Sequence, residues 1–440
     1  MSKLFKNYLS DNFMCNGTTL EGFKEAVKEM VLSTQIAVLS PSDTKFLSLI
    51  VEPSTIKDRN GNTLKDKSGN NLGMPGYKYF RYIDTNSIGM FNESGIMPSI
   101  AKIPEDKFEP SLSKESDKTS RLMLLSGKTN FYFSQKAIAT LTTKADVSGW
   151  TTITKPSFVR DLHLMEGLAY TKKKVSYVYR TDEINGKTYR KIFAAMSDKY
   201  NFIPMSVLYE ALELIIEEGI LGECHVHSWH IEHDYTQIYV EFPDCVEDFK
   251  ATYGLPSEVI PGLLLQSSDT GCSSVIIRGT YRIGGCNTYV IENEFARKHS
   301  GTITKDDIVA QVNTDIFTQI RKLPEALAAL MSINVTPSEM DLSIPDNCKK
   351  NETFVRDMMQ NTANKLLKGC LSKKQLTLLV DNICDEINGS IHYTAYDLAT
   401  ILMQVPDRIK GLDEGTMVSV KKALAKAPYA KYENVHIALV

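Results

Sequence analysis

Apolar residues recur along this chain in more than one period, and the changes of period divide it. Leu20 to Leu32 has the spacing of a helix with one apolar stripe, and Phe46 to Val51 is a short continuous apolar run of the kind a buried strand carries. Residues 57–76 are so rich in Gly, Asn, Asp and Lys that they predict turns or an exposed hairpin. Tyr77 to Tyr82 and Ser87 to Met90 read as short strands, and the polar, proline-broken run 103–120 reads as a linker. After it, Leu122 to Phe133 has strand character, Ser134 to Thr142 reads as a short helix, and Phe158 to Ala169 reads as an apolar helix.

The clearest local signal lies in residues 173–196, two β-rich runs around Asn185-Gly186, a pair that tolerates the positive φ of a tight hairpin turn. Pro204 and Ser206 open a helix from Val207 to Glu218, with Gly219 as its stop. Cys224 to His230 and Gln237 to Phe242 alternate as strands around a turn, and Gly262 to Gln266 and Ser274 to Tyr281 flank a polar SSDTGC segment. Beyond Gly301 the period becomes helical. Helices are predicted at 305–322, 324–332, 353–368, 372–387, 395–404 and 415–427, with 335–352 as an intervening loop. Thr304/Asp307 and Ser372/Gln375 have the spacing of capping boxes.

The fold class this implies is α+β: a central antiparallel sheet with hairpins and packed helices, followed by an all-helical C-terminal region. The expected division is an N-terminal α+β extension over 1–120, a central α+β domain over 121–302 and a helical domain over 303–440.

Charge enters next, because the balance of 50 Lys+Arg against 53 Asp+Glu gives no overall field that would draw the chain onto nucleic acid. The average conceals a local excess. Residues 151–200 hold ten basic against five acidic residues, while Val207 to Glu218 holds four glutamates and no base. Within the basic stretch Lys172, Lys173, Lys174, Arg180, Lys187, Arg190 and Lys191 interleave with Tyr170, Tyr177, Tyr179, Tyr189 and, at its end, Tyr200, a composition suited to phosphates on cations and bases on rings, with Tyr177, Tyr179 and Tyr189 as the stacking candidates. The competing reading makes the tyrosines cross-strand packing partners and the lysines solvated edge charges.

Four of the eight histidines fall in residues 225–233. Strand alternation puts His225, His227 and Trp229 on one face, so His225 and His227 are the candidate ligands for a divalent metal, which would need a third donor from elsewhere. The competing reading is a half-exposed, histidine-rich hairpin. SSDTGC (267–272) offers short hydroxyls and a carboxylate for a phosphate or cation, and equally for Asx-type bonds that hold a turn, the reading favoured here. The signatures GxxxxGK[ST], HExxH and GxSxG do not occur. Eight scattered cysteines without a CxxC pair fit reduced thiols. With neither a signal-peptide core nor an 18-residue apolar window, the expected location is the cytoplasm, with no membrane partner.

Three segments together resemble the phage and plasmid protein family catalogued as domain of unknown function 932: residues 194–204, 261–291 and 296–301. The matching positions are Ser197 and Tyr200, Ser268 and Gly271, Arg282 and Asn287, and His299 and Gly301. The family's turn asparagine is Ser267 here, and its cysteine falls one place late, as Cys286. The resemblance implies a gene of a phage, plasmid or other mobile element and supplies no mechanism. The order of elements is also similar to that of phage single-strand annealing proteins. The function expected is therefore a non-enzymatic, homo-oligomeric protein that binds single-stranded DNA through the basic hairpin for phage replication or recombination, with a protein partner on the helical C-terminal domain. The alternatives are a phage structural or interaction protein and a metal-dependent enzyme using His225 and His227.

Overall fold

A computed structural model describes residues 8–50, 60–65, 68–69, 71, 77–95, 99–104, 122–147, 158–184, 186–219, 222–272, 274–284, 288–297, 304–312, 317–404 and 414–432. The strands are β1 (Met14–Gly17), β2 (Thr34–Leu39), β3 (Thr44–Ile50), β4 (Tyr77–Ile83), β5 (Ile100–Pro104), β6 (Leu122–Ser126), β7 (Thr129–Phe133), β8 (Val175–Ile184), β9 (Lys187–Ser197), β10 (His225–Glu232), β11 (Thr236–Glu241), β12 (Val259–Ser267), β13 (Val275–Ile283) and β14 (Thr288–Arg297). The helices are α1 (Leu20–Ser33), α2 (Thr85–Ser94), α3 (Gln135–Lys144), α4 (Phe158–Thr171), α5 (Ser206–Glu218), α6 (Cys245–Tyr253), α7 (Lys305–Gln311), α8 (Phe317–Met331), α9 (Pro345–Leu366), α10 (Lys373–Cys384), α11 (Ala395–Gln404) and α12 (Glu414–Leu424). The class is α+β.

The strands form two sheets. One has eight strands in the order β2-β8-β9-β7-β6-β3-β4-β5, antiparallel except where β7 runs parallel to β9. The other has six, β1-β10-β11-β12-β13-β14, all antiparallel. Strand alternation sends Phe46, Leu122, Leu124, Phe131, Phe133, Tyr177 and Ile192 of the eight-stranded sheet onto α2, α3 and α4. The inner face of the six-stranded sheet, with Ile238, Val240, Leu263, Leu265 and Ile277, shares a second core with α1, α5, α8 and the C-terminal helices.

The expected boundary at residue 120 runs through one sheet. Strand β2 pairs with β8 and β3 with β6, so the first hundred residues complete the central sheet, and β1 completes the other. The linker expected over 103–120 lies, from 105 onward, outside the described residues.

Ser87 to Met90 is helical, not a strand. The Asp84 carboxylate accepts the Ser87 amide at 2.8 Å, and Gly95 closes α2 in the left-handed region at φ 70°, so two caps define a helix too short to show a period. The run 324–332 continues α8 through Pro324, and α9 starts at Pro345, inside the expected loop, where a proline suits the first helical turn. Both capping boxes are present.

Candidate nucleic-acid interface

The hairpin forms as expected, β8 against β9, with Gly186 at φ 72° in its turn and Asn185 outside the described residues. Its ten candidate residues divide into an inside and an outside. Val175, Tyr177 and Tyr179 share the face beneath α3 and α4. Tyr177 is buried edge-on to Phe133, and the Tyr179 hydroxyl donates to Gln35 Oε1 at 2.6 Å while its ring meets Phe131. The opposite face carries Arg180, Tyr189 and Lys191, and all three are buried. Arg180 and Lys191 stand directly opposite each other in the ladder, where two like charges repel unless each is neutralised.

Each is. Arg180 donates from Nη2 to both oxygens of Asp269 (2.7 and 2.8 Å) and from Nε to Thr34 Oγ1 at 3.3 Å. Its Nη1 lies 2.7 Å from His233 Nδ1, so that nitrogen must be the acceptor and Nε2–H donates to the Ser10 carbonyl at 2.8 Å. Lys191 pairs with Asp11 at 2.6 Å and donates to the Leu9 carbonyl at 2.8 Å. The Phe193 ring stacks on His233 at 3.6 Å and lies beneath both cations, 5.0 Å from the Arg180 guanidinium and 5.8 Å from the Lys191 ammonium. Burial, and then the Arg180 charge, push His233 well below its ordinary pKa of 6.5, so it is neutral. Burial pushes the Tyr8 phenol beside it up to about 12. This polar junction joins the two sheets and the segment before β1.

These contacts correct the hairpin groove expected above. Arg180, Lys191, Tyr177 and Tyr189 point into cores, where they hold the fold together and meet no phosphate or base. Arg160, at the start of the basic stretch, is likewise buried against Asp161, and Ser48 donates to the same carboxylate. Lys187 is exposed at the hairpin tip, and Arg190 is half-buried.

The exposed charge lies at the open end. Tyr170, the penultimate residue of helix α4, is 88% exposed, and the Lys172 amide closes the last turn of that helix on the Leu168 carbonyl at 3.2 Å. Lys172 holds a left-handed φ of 50°, where glycine is the cheaper residue. Lys172, Lys173 and Lys174 are all exposed and have no ion-pair partner among the described residues. Because Val175 pairs with Ser197, the exposed Lys199 leaves the sheet at the same end.

The remaining candidates have other places. A bulge between Val226 and Ser228 returns Trp229 to the core, so it does not share a face with the exposed His225 and His227. Those histidines lie 3.5 Å from Glu223 and 3.5 Å from Glu241 respectively. Among the described residues no three His, Cys, Asp or Glu side chains gather as a metal site would require. Arg282 forms a two-pronged pair with Glu241, both bonds at 2.9 Å. Ser197 is exposed, and the Tyr200 hydroxyl donates to the Asp269 carbonyl at 2.8 Å. Ser268 Oγ accepts the Cys272 amide at 3.0 Å and Gly271 turns at φ 75°, so SSDTGC is held by its own hydroxyls with its carboxylate on Arg180. Asn287, His299 and Gly301 lie outside the described residues.

Sequence reasoning passed over Asp11, and it named His233, Asp269 and Tyr170 only as members of the histidine, SSDTGC and basic-aromatic stretches, without the places they take here. The available signal was strand parity: Arg180 falls on the opposite side of β8 from Tyr177 and Tyr179, so one face could not hold all of them. No family model, curated protein or solved structure matches the chain. No helix among the described residues is long and apolar enough to cross a membrane.

Proposed function

We propose that this chain is a non-enzymatic protein that binds a single-stranded nucleic acid, as an accessory of replication or recombination in a phage or other mobile element. The contact surface is the turn that leaves α4. Lys172, Lys173 and Lys174 hold successive phosphates, Lys199 adds a fourth cation at the same end of the sheet, and a base stacks on Tyr170. One observation carries this reading: an almost fully exposed tyrosine is followed closely by three exposed lysines with no ion-pair partners among the described residues. A solvated aromatic ring beside unneutralised cations is the pairing that sequence-tolerant single-strand binding uses, with base stacking worth roughly 1–3 kcal/mol per base. The contact moves from the middle of the hairpin to its open end, because the middle is spent on the buried junction.

Fluorescence anisotropy with a labelled oligonucleotide at low salt tests the reading. Wild type is expected to bind, and Tyr170→Ala is expected to lower affinity about tenfold, the equivalent of roughly 1.4 kcal/mol for one lost stack. Absence of binding by the wild-type chain would end the proposal. A second reading, a structural or interaction protein without a nucleic-acid role, draws on the burial of Arg180 and Lys191, which removes two cations from the surface.

A further inference from the structure

We infer that β2 is a self-association edge, at which a second copy of this chain pairs antiparallel about a two-fold axis through Ala37. The inference does not rest on the nucleic-acid reading. Strand β2 ends the eight-stranded sheet, with β8 on one side and no strand among the described residues on the other. Among those residues no backbone group beyond the β8 ladder bonds to residues 35–39, so alternate N–H and C=O groups point outward unpaired.

Free edges are liabilities that proteins shorten, charge or break with proline. The other three edges carry such devices. Strand β1 has four residues and ends on Gly17, β5 contains Lys102 and ends on Pro104, and β14 carries Glu292, Glu294 and Arg297. Strand β2, TQIAVL, has six residues with no charge, glycine or proline. It also exposes branched side chains, Ile36 at 37% and Val38 at 52%, and Leu32 just before it is 73% exposed.

The chemistry of the strand selects a copy of itself as its occupant. A charged peptide finds no counter-charge on TQIAVL, whereas a two-fold copy brings no like charges together. Directly opposed residues in a sheet must share a face, so a two-fold pairing has to pass through a residue and not between two. Centred on Ala37, it places Ile36 of one copy against Val38 of the other, twice, closing both exposed side chains into branched cross-strand pairs. It also satisfies the outward backbone groups of both strands.

Analytical ultracentrifugation of the full chain tests this without nucleic acid. Wild type is expected to dimerise with increasing concentration, and Val38→Lys, at an exposed position that leaves the fold intact by circular dichroism, is expected to weaken the dimer at least tenfold. In parallel, Ala37→Cys is expected to form a 37–37 disulfide on mild oxidation, identified by peptide mass, because opposed Cα atoms at about 4.5–5.5 Å suit the bond. A monomer at about 100 μM, a dimer indifferent to Val38→Lys, or a failure of the Ala37→Cys variant to cross-link would each overturn the assignment. Should Val38→Lys misfold, the cross-link decides.

Discussion

Arg180 and Asp269 form a pair closed off from water on all sides, and its worth depends on keeping both members. Asp269→Asn leaves the guanidinium buried with too little counter-charge. Chemical denaturation is expected to show a loss of roughly 3–5 kcal/mol. The exposed pair Lys24–Glu213 has a similar length, 2.5 Å, yet Lys24→Ala should change stability by no more than about 1 kcal/mol, because water screens it. His233 adds a dependence on pH. Folded, its Nδ1 accepts from Arg180 and burial keeps it neutral; unfolded, it takes up a proton below its ordinary 6.5. The unfolded chain therefore binds more protons as the pH falls through 6.5, and stability falls with it. Thermal melts from about pH 7 to pH 5 should show a falling midpoint, with a shallower slope in His233→Asn. Equal slopes in both proteins would remove His233 from the explanation.

At the scale of elements, the lysine turn combines a conformational cost with a proposed contact, and the two can be separated. Lys172 sits where a side chain strains the backbone, so Lys172→Gly is expected to stabilise the fold by roughly 1 kcal/mol while weakening binding to an oligonucleotide. A purely structural role for this residue would move stability alone. The elements with strong local chemistry were legible from the amino acids: the Asn-Gly hairpin, α5 with its Gly219 stop, and the two helices opened by capping boxes. Strands β1, β2, β5 and β14 were passed over because short or edge strands carry little periodicity of their own and exist through their ladder partners. Helix α2 was misread because its caps lie outside its apolar run. The bulge at His227 broke the alternation on which the histidine reading rested, and nothing local to that strand announces it.

For the molecule as a whole, topology overrode the division read along the chain. Residues up to Pro104 supply four of the eight strands of the larger sheet, since loop and linker composition does not reveal which strands will pair across it. The charge balance likewise changes meaning once the fold is known. Two of the most conspicuous cations of the basic stretch, Arg180 and Lys191, are neutralised internally by Asp269 and Asp11, so the local excess that sequence assigns to a groove survives chiefly at the end of α4. Single-strand binding releases counterions in proportion to the phosphates neutralised, with a slope of log affinity against log salt near about −0.7 for each. The most direct measurement is that slope for wild type and for the combined Lys172→Ala, Lys173→Ala, Lys174→Ala variant, each checked for an unchanged fold. Loss of three phosphate contacts should make the slope shallower by about 2 and weaken binding at low salt. A variant that binds with the wild-type slope and affinity would contradict the account.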